Sequence, residues 1–257
     1  MKKLKEVFKI FQNKESFFDQ TNNKKTNSLI INQIIVICLF AFAYGLVMGS
    51  YHSIIQSVVS GIKVIVLFLS TLIICFPSFY IIQQVLGSKM SSKQMIMIIL
   101  NGFVLISTIT LSFAPIVIFF ILTGGNYHFL QLLHVAIFIF GGVFGMKLII
   151  ESLKYACEKK NIYPQMGVTV FRVWIIILAF VGMQLAWNLR PFLSDKAEEF
   201  KLFRTYKGNF YTAVIYSVGQ LIKDKETINS DKEEINPSID TVTTHKIDTN
   251  AISIFFK

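Results

Sequence analysis

Acid is missing where a transport protein most often keeps it. No Asp or Glu stands between Asp19 and Glu151, so none lies in the core of the long apolar runs that fill that stretch. Ion- or proton-coupled transporters normally hold a carboxylate inside the membrane, and this chain does not offer one there. Charge of either sign is scarce, 16% of residues against roughly 25% in soluble globular domains. With 53% hydrophobic residues, no soluble core could hide the apolar surface, and a bilayer has to take it.

Cysteine and histidine are also few. Cys38, Cys75 and Cys157 are the three cysteines. Their spacing fits neither a disulfide framework nor a zinc site, and they read as small apolar residues. His134 stands alone in an apolar run, with no second histidine or carboxylate at metal-ligand spacing. There is no serine nucleophile elbow, glycine-rich phosphate loop or pair of carboxylates, and Gly124-Gly125 reads as a turn. No catalytic residue, metal or cofactor is expected, and the protein is read as not an enzyme. The net charge of +10 would raise the question of nucleic acid in a soluble protein. Here the excess flanks apolar runs, which is the pattern that sets membrane topology. The expected partner is the lipid bilayer, with no nucleic acid.

What is present is a series of spans. The expected organisation is all-α: a basic amphipathic segment over 1–28, a transmembrane bundle over 29–192, an interfacial helix region over 193–222 and a polar tail over 223–257. Spans are expected at about 29–49, 64–86, 94–122, 129–150 and 170–190. The first is read as uncleaved although Ala41-Phe42-Ala43 has the form of a signal-peptide site, because 28 residues precede the run and it stays apolar to Met48. The third run is too long for one upright span and too short for two. Pro115 and the hydroxyls of Ser107, Thr108, Thr110 and Ser112 predict that it is broken or tilted. Pro77 predicts a kink in the second.

The N-terminal segment, the 87–93 loop and the 147–172 segment carry seven, two and five Lys or Arg, whereas the alternate loops carry none apart from Lys63 at a span edge. The positive-inside rule then places the N-terminus in the cytoplasm of a cell with this as an inner (cytoplasmic) membrane protein, and five spans put the C-terminus outside. Over 209–222, Phe210, Val214, Val218, Leu221 and Ile222 share a helical face too short to cross, read as an interfacial helix.

Two sets of residues stand out. Ala41, Gly45 and Gly49, the Gly141/Gly145 pair and the Gly182/Ala186 pair form small-residue faces where another helix can approach closely. Polar residues in a bilayer are expensive and therefore candidates for function. Arg190 follows Trp187 by three residues, so its guanidinium can lie over the indole, and Gln184, Trp187 and Asn188 share that helical face. With Lys63, His134 and Tyr44 as neighbours, they predict an outer-leaflet pocket for a lipid headgroup or an anionic ligand. The competing reading is an interfacial anchor that fixes the depth of the helix.

Two stretches resemble an uncharacterised family of bacterial multi-pass membrane proteins: Leu67–Tyr80 with its Phe76-Pro77-Ser78-Phe79-Tyr80 sequence, and Val181–Phe192 with Gln184-Leu185-Ala186-Trp187-Asn188-Leu189-Arg190-Pro191-Phe192. The likeness runs over roughly residues 40–222 and takes in Tyr44-Gly45, Met48-Gly49, Ala114-Pro115 and Gly208–Tyr211. Val64 stands where that family often has Pro. Five spans with a cytoplasmic N-terminus also resemble the Yip1-like architecture. The resemblance implies a shared fold and a shared site around Trp187 and Arg190, and no activity. The expected role is a non-enzymatic subunit or scaffold of a membrane assembly, forming a homo-oligomer or joining other membrane subunits through the small-residue faces. The alternative is a channel or a lipid or solute transporter using the polar site at the outer end of the fifth span.

Overall fold

The computed structural model describes residues 26–158, 161–162, 164–193, 202–203, 211–220 and 222. The expected basic amphipathic segment lies outside these residues up to position 25, as does the polar tail from 223 onward. Within them the structure is helical, with no strand among the described residues: α1 Thr26–Gly49, α2 Ile54–Val85, α3 Ser92–Ser112, α4 Ala114–Leu122, α5 Tyr127–Glu158 and α6 Gln165–Asn188, and a further helical stretch over 211–220.

Local chemistry sets the ends of these helices. Ser53 caps α2, its hydroxyl accepting from the Gln56 amide at 3.2 Å. Ser91 and Gln94 form a reciprocal capping box at the start of α3, which satisfies two donors that the first turn would otherwise leave unpaired. The third apolar run is broken at Phe113, which closes α3 and opens α4. Pro115 sits in the first turn of α4, where its missing N–H removes no helical bond. α2 runs unbroken past Pro77.

Five helices, counting α3 and α4 as one 31-residue unit, are long and apolar enough to cross a bilayer. The shortest have 24 residues, about 36 Å at 1.5 Å per residue, against a hydrocarbon core of about 30 Å. The chain is an all-α polytopic bundle and an integral membrane protein.

The helices follow a simple neighbour order. α1 lies between α2 and α3, α3 packs on α5, and α2 packs on α6. α5 and α6 meet more lightly, so the α5–α6 seam is the loosest major joint. Three close approaches depend on glycine. A Cβ at Gly45 would lie 2.6 Å from the Gly61 Cα, and one at Gly49 would lie 2.5 Å from the Gln56 carbonyl oxygen. A Cβ at Gly145 would lie 2.8 Å from the Gly102 carbonyl oxygen and closer still to Ile106. α1–α2 and α3–α5 are thus backbone-to-backbone contacts of the kind small residues allow in membranes. Ala41 is fully buried on the same helix as Gly45. Gly141 is less tight, with its nearest neighbour at 3.5 Å, and among the described residues Gly182 has only Thr71 near it, at 3.8 Å.

At Gly45, Gly49 and Gly145 the small-residue faces meet helices of the same chain, and Gly182 with the half-buried Ala186 makes no close approach among the described residues. α6 is held instead by rings: Phe79 of α2 lies 5.0 Å from Phe171 and 4.9 Å from Trp174. α3 is buried on every side over 97–104, the mark of a helix in the middle of a bundle.

Candidate functional site

The end of the bundle that holds the 50–53 turn, the 123–126 turn and the C-terminus of α6 carries all the polar residues singled out in the sequence. Non-helical backbone is costly at membrane depth unless its carbonyls find donors. After Asn188 the chain leaves the helix, and its carbonyls are met by α2. The Gln56 amide donates to the Pro191 carbonyl at 3.1 Å, and the Ser60 hydroxyl donates to the Phe192 carbonyl at 2.6 Å. The Lys63 ammonium donates to the Pro191 carbonyl at 3.0 Å and also to the Leu202 carbonyl. It lies 5.0 Å from the Phe203 ring centroid as well. Gln56, Ser60 and Lys63 are spaced i, i+4, i+7, so one stripe of α2 faces the returning chain.

Lys63 was expected to face an anionic ligand. It is only 5% exposed, and its donors are turned onto backbone carbonyls of its own chain. Its position explains why: it lies nine residues into α2, about 13 Å along the axis, with the backbone at Pro191 and Leu202 against it. Gln56 and Ser60 were missed because 50–60 lacks the hydrophobicity of a span. The signal available was their spacing with Lys63 on a helix capped by Ser53.

Tyr44 and His134 form a second unit. The Tyr44 hydroxyl and His134 Nδ1 are 2.8 Å apart, and the rings meet edge-on at 5.7 Å. Tyr44 is 0% and His134 1% exposed, and Phe138 packs edge-on against Tyr44. This joins α1 to α5 through the interior, and His134 Nε2 has no hydrogen-bond partner among the described residues. Arg190 and Trp187 form a third unit. The guanidinium carbon stands 2.9 Å from the indole centroid, and Nε donates to the Trp187 carbonyl at 3.2 Å. Gln184 and Trp187 are half-buried and Asn188 is exposed. The seven expected site residues therefore fall into three places: the Tyr44–His134 pair inside, Lys63 under the returning chain, and the Trp187–Arg190 stack with Gln184 and Asn188 on α6.

The described helical stretch 211–220 closes the same end. Ser217 is buried, donating to Gln131 Oε1 at 3.2 Å and lying 3.4 Å from His128 Nδ1. Tyr216 meets the His128 ring at 5.8 Å. On the apolar face expected for an interfacial helix, Val218 and Ile222 are exposed. The docking residue is Ser217, because α5 offers it polar partners.

Two further internal ties lie toward the opposite end: Gln33 donates to the Met97 carbonyl at 3.4 Å and Gln83 to the Gly167 carbonyl at 3.3 Å. No group of three His, Cys, Asp or Glu side chains that could hold a metal is present among the described residues. At the opposite end, where the 86–91 turn and the start of α6 lie, two grooves of about 180 and 150 Å³ open. Comparison with known proteins returns no matching family model, no matching curated protein and no matching solved structure.

Proposed function

We propose that the protein is a non-enzymatic structural component of a cell-membrane assembly, with its N-terminus in the cytoplasm. One observation carries this reading. Lys63, Gln56, Ser60, Gln33 and Gln83 donate to backbone carbonyls, and Tyr44 bonds to His134. Polar groups that a carrier or an enzyme would present to a passing molecule here tie one segment to another. The distribution of lysine and arginine supports the orientation. The likeness of the 67–80 and 181–192 stretches to a bacterial multi-pass family agrees with the membrane setting. Contacts with other subunits fall to the apolar outer faces, such as Ile31, Ile35 and Leu39 at i, i+4, i+8 on α1, all more than half exposed, since the tight glycine contacts are internal.

The test is the mass of the particle extracted in mild detergent or native nanodiscs, with co-purifying proteins identified. A recurrent partner or a defined oligomer supports the reading, and a lone monomer at every protein concentration overturns it. The channel or carrier reading draws on different atoms: the unpartnered His134 Nε2 and Asn101 Oδ1 in the interior. It requires flux of ions, solute or lipid in proteoliposomes that falls when His134 is replaced by Phe.

A further inference from the structure

The geometry points to a phospholipid-headgroup site in the groove between the last turns of α5 and the first turns of α6, taking the phosphate of a lipid whose headgroup carries a hydrogen-bond donor. Lys154 and Glu158 line it from α5, and Gln165, Thr169 and Arg172 line it from α6. The spacing is helical on both sides, i, i+4 on α5 and i, i+4, i+7 on α6, so two polar stripes face one space. Neither Lys154 nor Arg172 has an ion-pair or hydrogen-bond partner among the described residues. Two unspent cations and the uncapped start of α6, where Pro164 supplies no side-chain acceptor, make the groove attractive to an anion. Glu158 would repel a bare anion, but it accepts from a hydroxyl or ammonium beside the phosphate.

The depth is right for a headgroup. Arg172 is followed by Val173, Ile176, Ile177 and Phe180, all exposed. On α5, Phe140 and Phe144 are exposed on the far side of Lys154 from the turn. Acyl chains can lie along these side chains while the phosphate sits between the cations, at the polar–apolar boundary. The loose α5–α6 seam is where the bundle leaves room for them. The groove, at about 180 Å³, falls below the roughly 300–1,000 Å³ of sites that enclose drug-sized molecules. It suits a small headgroup rather than a peptide.

The experiment is native mass spectrometry of the full chain from nanodiscs of phosphatidylcholine doped with phosphatidylglycerol or phosphatidylethanolamine. The comparison proteins are K154Q/R172Q and a variant with Lys2, Lys3 and Lys5 changed to Gln. The expected result is one retained phosphatidylglycerol or phosphatidylethanolamine per wild-type chain. The groove variant should hold it about twenty-five-fold more weakly, from about fivefold per cation, and the N-terminal variant should hold it unchanged. Inorganic phosphate added to delipidated protein tells the sources apart. If it binds to wild type and not to K154Q/R172Q in the absence of lipid, the groove takes free phosphate as well as the headgroup. Equal retention of phosphatidylcholine, or the same lipid adduct on wild type and K154Q/R172Q, overturns the assignment. So does loss of the adduct in the N-terminal variant alone.

Discussion

The two ends of this bundle hold cations put to opposite use. At the end that holds the 50–53 turn, Gln56, Ser60 and Lys63 meet carbonyls of 191, 192 and 202, Ser217 meets Gln131, and Arg190 lies over Trp187. At the other end, Lys154 and Arg172 face an open groove. The lesson is that a lysine in a membrane protein is read by what surrounds it rather than by being there. Lys63 is surrounded by an irregular stretch of backbone whose carbonyls need donors in a medium without water. Lys154 and Arg172 sit on regular helices whose carbonyls are already bonded, so their charge remains available. Substitutions at the tied end should therefore cost stability, and those at the open end should not.

The largest effect is expected where the tied end rests on bare backbone. In Gly45→Leu the new side chain would start 2.6 Å from the Gly61 Cα, and no rotamer relieves a clash of Cβ with backbone. A loss of about 3 kcal/mol or more should remove the monodisperse peak in detergent gel filtration. Gly182→Ala, whose Cβ would have 3.8 Å to Thr71, should stay within about 0.5 kcal/mol. Equal behaviour of the two would mean that α1 and α2 are not locked together at this end.

Next comes Lys63→Ala, which takes the donor from the Leu202 carbonyl and one of the donors from Pro191. Charged hydrogen bonds of this kind are worth about 1.5–3 kcal/mol, so a loss of about 2 kcal/mol is expected. Reversible unfolding in mixed micelles should read that loss. Lys63→Met separates two contributions. It keeps the volume and removes both the bonds and the cost of burying the ammonium. If Met is as stable as Lys, the ammonium only breaks even and the carbonyls find other donors.

Much of the fold was legible because hydropathy marks a bilayer span directly. Five spans and the break in the third run follow from the apolar runs and from Pro115. Helix ends were less legible. The second apolar run starts at Val64, but α2 starts at Ile54 because Ser53 caps it, and the helix continues through Gln56, Ser60 and Lys63 because another segment satisfies them. The fourth run ends at Ile150, yet α5 continues to Glu158 through Lys154 and Tyr155 at its wet end. Within the site, the spacing of three placed Arg190 beside Trp187, and the structure has the guanidinium over the indole. That Lys63 would meet carbonyls 128 and 139 residues away was not legible, because the partners are backbone atoms and carry no sequence signature. Glycine spacing showed where close packing is possible, but not whether the partner is the same chain: Gly45 and Gly145 meet theirs inside, and Gly182 makes no close approach among the described residues.

A smaller effect tests the inner part of the tied end. Tyr44→Phe removes the hydroxyl from His134 Nδ1 while keeping the ring against Phe138. Side-chain hydrogen bonds inside membranes average about 0.6 kcal/mol and reach about 1.7. A double-mutant cycle of Tyr44→Phe with His134→Phe should return a coupling in that range by reversible unfolding in mixed micelles. A coupling near zero would mean that the pair is packed rather than bonded, leaving α1 and α5 joined by rings alone.

The smallest effect belongs to the open end. Arg172→Gln and Lys154→Gln each change an exposed residue that bonds to nothing among the described residues, so neither should move stability by more than about 0.5 kcal/mol in lipid-free detergent. The same measurement in the presence of phosphatidylglycerol sharpens the contrast. A ligand that binds only the folded state adds stability in proportion to its saturation, so wild type should gain melting temperature on adding lipid while the two variants gain less. Lys63→Met, whose altered site is buried under its own chain, should gain as much as wild type. If Arg172→Gln instead lowers stability without lipid by as much as Lys63→Ala does, the cations at the open end are ties as well, and the two ends do not differ in kind.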